Sequence, residues 1–350
     1  MLTLSTAALL SVTLLTPPTP ITWQETPTGI PLGVVFRLDQ SGGQRWAVGI
    51  DIEQTGPRDT TWHPLALRWN GTSWERTVSA FPNGRLDDVL VRGADDVWAA
   101  GSAEGPGGWS EPYLEHWDGS VWHEVQTPAG RLSGLIALDQ DDEGNLLVAD
   151  SDAKIHRYDG RTWQDLPPAG DLWIEDLQPL GGKELLAAGG GGIMRFDGSR
   201  WQQIELPEGT ADISRLLVRG PGDIWAVGHK NSDQLWRVPL AVHYDGSRWS
   251  EVPTPVVTGE LHSIEAVGNR LIAVGGVPFD NKPLVMEFDG DKFVATTPPP
   301  GATYLHGSST ANGCLWVTGT GPAGAEPTPY VGVAAGLPDA GTGFPPKSCG

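Results

Sequence analysis

The chain has 350 residues, with 43 acidic against 23 basic side chains and a formal charge of −20. That balance repels phosphate backbones and anionic lipid, so it argues against nucleic acid as a partner. Its 47 glycines and 30 prolines beside 39% hydrophobic residues are too apolar for a disordered chain and carry no collagen period; they indicate short buried segments between many turns, an all-β chain.

The amino terminus, "MLTLSTAALLSVTLLTPPTP", is an apolar run too short to span a bilayer and closed by a Pro-rich break. Residues 1–20 are therefore expected to be an export signal or leader, with no membrane span in the chain and an extracellular location. From there onward one pattern recurs: "LRWNGTSWERT", "EHWDGSVWHEV", "HRYDGRTWQDL", "MRFDGSRWQQI", "VHYDGSRWSEV" and "MEFDGDKFVAT" are six copies of a strand–turn–strand hairpin. A second pattern, "QRWAVG", "DVWAAG", "NLLVAD", "ELLAAG", "DIWAVG", "RLIAVG" and "CLWVTG", interleaves with it seven times. The missing hairpin is split between the ends of the chain: "TPYVGVA" (328–334) supplies the strand before the turn and "ITWQETP" (21–27) the strand after it.

Each unit reads as four short strands, a to d, separated by turn residues. A four-stranded sheet of this size leaves both faces bare, whereas seven arranged radially cover one another. The expected fold is a seven-bladed β-propeller over residues 21–336, with an N-terminal outer strand closing the last blade and a C-terminal tail over 337–350. The chain is expected to be a monomer. Cys314 and Cys349, the only cysteines, are a candidate disulfide tying that tail to the body.

On these motifs, "DDVWAAG…EHWDGSVW" and "GDIWAVG…VHYDGSRW", the chain resembles the Trp-rich repeats of secreted bacterial β-propeller proteins. The "DGSxW" turn is also similar to the Asp-box of sialidase-like propellers and more loosely to kelch propellers. Here Asp and Gly are adjacent, no arginine triad can be identified and no copper ligands map, so the resemblance implies a fold and no catalysis.

Repetition sorts the sixteen tryptophans. Trp23, Trp74, Trp122, Trp163, Trp201 and Trp249 (strand d), Trp46, Trp98, Trp225 and Trp316 (strand b), and Trp69 and Trp117 (strand c) recur at fixed registers and belong between blades. His116 and His243 share a register with Arg68, Arg157 and Arg195 and read as framework. Four tryptophans remain: Trp62, Trp109 and Trp236 in long b–c loops (50–64, 102–112, 229–239) and Trp173 at a d–a connection. In an a-b-c-d meander these connections emerge on one face, which makes the four the candidate ligand contacts. An indole suits a glycan or peptide ligand.

A second candidate is the ring formed where strand a begins: Gly33, Asp87, Ser133, Glu175, Ser214, His262 and His306. His262 and His306 with Asp87 and Glu175 are the alternative catalytic set, for a lyase or hydrolase, and His262, His306 and Glu175 the alternative metal ligands. No nucleophile elbow, P-loop or zinc-type cysteine pair supports catalysis, and no cofactor is expected. The stretch "DQDDEGN" (139–145) reads as a solvated turn. The expected function is ligand binding on the b–c/d–a face, with an axial enzyme and a protein-interaction scaffold as the alternatives.

Overall fold

The computed structural model describes residues 20–56, 59–105, 110–128, 134–322, 326–335, 337 and 349. Every regular element among them is a β-strand, and the strands form consecutive antiparallel meanders. The first, β1 (Thr22–Glu25), stands apart from its sequence neighbours. Unit 1 is β2 (Gly33–Ser41), β3 (Gln44–Gln54), β4 (Thr60–Trp69) and β5 (Trp74–Thr77). Unit 2 is β6 (Gly84–Val91), β7 (Val97–Glu104), β8 (Ser110–Trp117) and β9 (Trp122–Glu124). Unit 3 is β10 (Leu135–Gln140), β11 (Leu146–Asp150), β12 (Ile155–Tyr158) and β13 (Trp163–Asp165). Unit 4 is β14 (Trp173–Gly181), β15 (Glu184–Gly190), β16 (Gly192–Phe196) and β17 (Trp201–Gln203). Unit 5 is β18 (Thr210–Gly220), β19 (Asp223–Ser232), β20 (Trp236–Tyr244) and β21 (Trp249–Val252). Unit 6 is β22 (Glu260–Val267), β23 (Arg270–Val277), β24 (Lys282–Phe288) and β25 (Phe293–Ala295). The last three strands are β26 (Tyr304–Ala311), β27 (Cys314–Gly321) and β28 (Thr328–Ala335), and β1 pairs antiparallel with β28, Thr22 opposite Ala335 and Glu25 opposite Gly332. Units 4 and 5 are bridged by a single pair, Gly190 with Asp212.

The inner strands touch in succession, β2 to β6, β6 to β10 and onward to β26, which in turn touches β2. Aromatic side chains fill the gaps between units. Trp46 of unit 1 packs on Trp117 and Trp122 of unit 2 at ring distances of 5.1 and 5.2 Å. Trp316 packs on Trp69 and Trp74 of unit 1, and Trp225 on Phe288 and Phe293 of unit 6. Each such ring withdrawn from water contributes about 2–3 kcal/mol. The Asp of each "DG" turn holds it from within: Asp118 Oδ1 accepts from the N–H groups of Ser120 and Val121, and Asp159, Asp197, Asp245 and Asp289 repeat the pattern.

The glycine ending each "WAVG" motif has a different task. A Cβ on Gly101, Gly228, Gly275 or Gly319 would lie 1.9–2.1 Å from the carbonyl oxygen of Arg85, Asp212, Glu260 or Tyr304 on the facing inner strand. Only glycine admits that approach, and the inner strand uses it to carry a β-bulge at the same place in every unit. Unit 3, with Asp150 in place of the glycine, shifts register there too.

The b–c connections are tighter than the sequence suggests. β3 and β4 stay paired from Trp46–Arg68 out to Gln54–Thr60, β7 and β8 reach Glu104–Ser110, and β19 and β20 reach Ser232–Trp236. The expected loops at 50–64, 102–112 and 229–239 are therefore mostly hairpin extensions, because alternating residues such as those of "DIEQ" and "TTWH" continue the ladder.

Candidate functional site

The bulges define the site. A bulge leaves one inner-strand residue unpaired and re-aims its side chain, and the unpaired residues are Phe36, Asp87, Ile136, Glu175, Ser214, His262 and His306. All but Ser214 line a cavity of about 250 Å³ together with Arg37, Arg85, Trp173 and Ile174. The expected ring is thus present at Asp87, Glu175, Ser214, His262 and His306 and is corrected at two places. Phe36 occupies the position expected for Gly33, which pairs with Asp51 at the start of β2, and Ile136 takes the position expected for Ser133, which lies outside the described residues. Alignment by polar character slipped by three residues where the bulged residue is apolar.

Two residues before each bulge comes a rim position, held by Arg85, Trp173, Asp212, Glu260 and Tyr304 among others. Glu260 is its hub. Tyr304 donates its hydroxyl proton to Glu260 Oε1, and Arg237 donates to Oε2. His262 Nε2 lies 2.9 Å from the Tyr304 oxygen and 3.3 Å from Glu260 Oε1. Since Tyr304 gives its own proton away, Nε2 is the donor. Burial opposes ionisation of Glu260, but the bonds from His262, Tyr304 and Arg237 hold its carboxyl at about 2. His306 is the opposite case: burial, then the charges of His262 and Arg37, push its pKa down to about 3, so it is a neutral imidazole at pH 7. Its ring stands 6.1 Å from that of His262 and edge-on to Phe36. Among the described residues no three His, Cys, Asp or Glu side chains converge in a way that would hold a metal ion.

The tryptophans reach this site in different ways. Trp173 opens β14 opposite Gly190 and is 58% exposed, because the hairpin above it ends at once at Gly191. Trp236, 51% exposed, has a positive φ of 65° and stacks on Phe279, whose φ is 66° and which is 92% exposed as a residue; the centroids are 5.8 Å apart at 23°. Arg237 lies over the Trp236 ring at 4.7 Å and so ties that pair to Glu260. Bulky residues rarely adopt this backbone region, and holding two there to display their rings outward costs of order 1–3 kcal/mol each. Trp62, 48% exposed, lines a second depression of about 740 Å³ with Thr60, Arg85, Ser102 and Glu104. Arg85 lines both depressions and is held 3.0 Å from Asp87, so Trp62 and Trp173 border one continuous surface. Trp109 lies outside the described residues. Sequence reasoning missed Glu260, Tyr304, Arg237 and Phe279; the first two share Trp173's register, the only signal that would have found them.

Below the cavity, carboxylates bind successive units together. Asp39, Asp88 and Asp176 accept from the backbone N–H groups of Val91, Leu138 and Leu216 at 2.7–2.8 Å, and Arg37 and Arg215 sit among them. Asp139, expected in a solvated turn, faces this interior because it still belongs to β10. Burial, reinforced by Asp176 and Asp88, raises it to about 8, and burial raises Glu265 to about 7.

Cys314 and Cys349 form a disulfide with Cα atoms 5.8 Å apart. No helix among the described residues is long and apolar enough to cross a membrane. No family model and no curated protein matches the chain. Solved structures do. The WD40 β-propeller domain of Doa1 is 14% identical with a TM-score of 0.61, covering 89% of this chain and 97% of its own. YCF48 bound to D1 peptide is 14% identical with a TM-score of 0.62, covering 93% and 99%. The extracellular domain of BT4673 from B. thetaiotaomicron is 12% identical with a TM-score of 0.61, covering 90% of this chain and 40% of that one. At such identities the likeness establishes the fold, a β-propeller of Trp-rich strands.

Proposed function

We propose that the chain is a seven-bladed propeller closed by its N-terminal strand, and that it works outside the cytoplasm as a binding module for an extended peptide. The cyclic succession of inner strands and the β1–β28 pairing support the closed ring. The disulfide supports an oxidising compartment, since such bridges persist there, and the apolar leader agrees with export.

One observation carries the binding role: exposed Trp173 lines the axial depression, exposed Trp62 lines the depression that shares Arg85 with it, and exposed Trp236 is tied to its edge through Arg237, Glu260 and His262, while Arg85 with Asp87 and Arg237 with Glu260 are already fixed by one another. Large exposed aromatic rings beside arginines are the composition of a protein-binding patch. A peptide is preferred to a glycan because a neighbour in fold, YCF48, binds the D1 peptide. The charge of −20 and Glu175, which lines the depression with Trp173, favour a peptide with Lys or Arg residues. Trp109 belongs to the same reading.

The test is a peptide array alongside a glycan array, each probed with the full chain and with Trp173→Ala and Trp236→Ala. Cationic peptides should be retained by the parent and lose about tenfold or more in affinity in either variant, the usual cost of truncating an anchor. Retention of glycans alone, or of peptides unaffected by both changes, would refute the assignment.

A further inference from the structure

The gaps between units are not filled alike. The strand-b position facing the next unit is Trp in units 1, 2, 5 and in β27, but Leu147, Leu186 and Ile272 in units 3, 4 and 6. Opposite the tryptophans of units 1, 5 and β27, the outer aromatics Trp122, Phe293 and Trp74 are buried; opposite the aliphatic residues, Trp201, Trp249 and Trp23 are partly exposed. Trp163, opposite Trp98, is partly exposed as well.

Units 2 and 4 make the comparison direct. Trp98 packs edge-on to Tyr158, which stacks on Trp163, and the Trp98 Nε1–H donates to Asp96 Oδ1 at 2.9 Å. His116 packs tilted on Trp98, centroids 4.4 Å apart, and bonds the same carboxylate. Trp225, Asp223 and His243 repeat this arrangement in unit 5. Between units 4 and 5 the receiving walls are kept, as Tyr244 and Trp249 with centroids 5.5 Å apart, but Leu186 stands where the indole would be. A cavity of about 550 Å³ opens there, lined by Leu186, Ile204, Leu206, Ile224, Tyr244 and Trp249. Glu184 takes the place of Asp96 and Arg195 that of His116; Glu184 Oε2 accepts from Arg195 at 2.7 Å, and Oε1 accepts nothing among the described residues. Arg248 also lines the cavity, its guanidinium without a hydrogen-bond partner among the described residues.

We propose that this gap is a second binding site, for an indole-class ligand bearing a carboxylate. The ring takes the position that the chain's own tryptophan fills in units 2 and 5, its N–H donates to Glu184, and its anionic group meets Arg248. A cavity of this size, walled by aliphatic and aromatic side chains with Glu184, Arg195 and Arg248 at its edge, has the make-up of a small-molecule site. The a–b and c–d turns that border it lie at the opposite ends of the strands from Trp173 and Trp236, so the two sites share no residue.

The probe is indole-3-acetate, titrated calorimetrically into the full chain. Saturable one-to-one binding is expected, about fivefold weaker for the 1-methyl analogue, which lacks the N–H donor. Arg248→Ala should weaken indole-3-acetate severalfold and leave indole itself unchanged. Leu186→Trp should fill the gap from within, abolishing binding and raising the melting temperature, while Trp173→Ala should bind the probe normally. Absence of saturable binding at millimolar probe, undiminished binding by folded Leu186→Trp, equal binding of the methylated analogue, or loss in Trp173→Ala would each overturn the proposal. If Leu186→Trp does not fold, the analogue and Arg248→Ala comparisons still decide it.

Discussion

Replacing Trp122 and Trp173 by alanine in separate variants tests whether framework and contact tryptophans are different things. Trp122 is 5% exposed, faces Trp46 at 5.2 Å and Trp117 at 5.6 Å, and donates its indole N–H to Thr77 Oγ1 at 2.9 Å. Truncation leaves a cavity between units 1 and 2, costing about 3–5 kcal/mol by the usual scale for Trp→Ala in a core, while the Thr77 hydroxyl keeps its bond to the Ala66 carbonyl. Trp173 is 58% exposed and its indole N–H has no hydrogen bond among the described residues. Less than half of its surface is withdrawn from water, so the loss should stay near or below about 1 kcal/mol. Chemical denaturation of parent and variants gives both numbers from midpoints at constant slope. The expected gap is about 3 kcal/mol. A Trp173→Ala protein as destabilised as Trp122→Ala would mean that the indole supports its own unit, and the binding face would lose its central residue.

Two further predictions concern the interior and the closure. Asp139 and Glu265 have folded pKa values of about 8 and 7, raised by burial. Their contribution to stability is whole below about pH 4 and is lost as pH rises through those values. His156, which Asp150 and Asp165 hold above its ordinary value against burial, acts in the same direction, so the readout is the difference between parent and Asp139→Asn. Melting temperature followed from pH 6.5 to 9 should fall less steeply in the variant, and parallel curves would refute the buried-acid account. Deleting residues 1–28 strips β1 from β28 and bares an unpaired sheet edge, which should bring aggregation, whereas deleting 1–18 should not. Equal solubility of the two in sedimentation would contradict the closure.

The repeat was legible because its chemistry is conspicuous: Asp-Gly turns, Trp at fixed registers and a glycine pressed on the facing strand leave marks that recur in most units, so that a unit lacking one still shows the others. The split of the last unit between "ITWQETP" and "TPYVGVA" followed from counting those marks. The axial positions were legible where the bulged residue is polar, at Asp87, Glu175, Ser214, His262 and His306, and not at Phe36 and Ile136, where nothing distinguishes it from core. Glu260, Tyr304 and Arg237 escaped because their meeting depends on a bulge register and a hairpin length that only pairing fixes. Phe279 and Trp236 come together through two left-handed residues that carry no glycine to announce them.

The pairing of β1 with β28 also sets an order of events. Residues 22–25 are among the first of the folded region to be synthesised, yet their partners at 332–335 are among the last, and Cys349 lies beyond them. Long-range pairings are slow to form because the intervening chain must first be brought together, so units 1 to 6 can assemble while the final sheet still lacks its outer strand. Pairing of β1 with β28 is then a late step, and the disulfide can link β27 to Cys349 only after it.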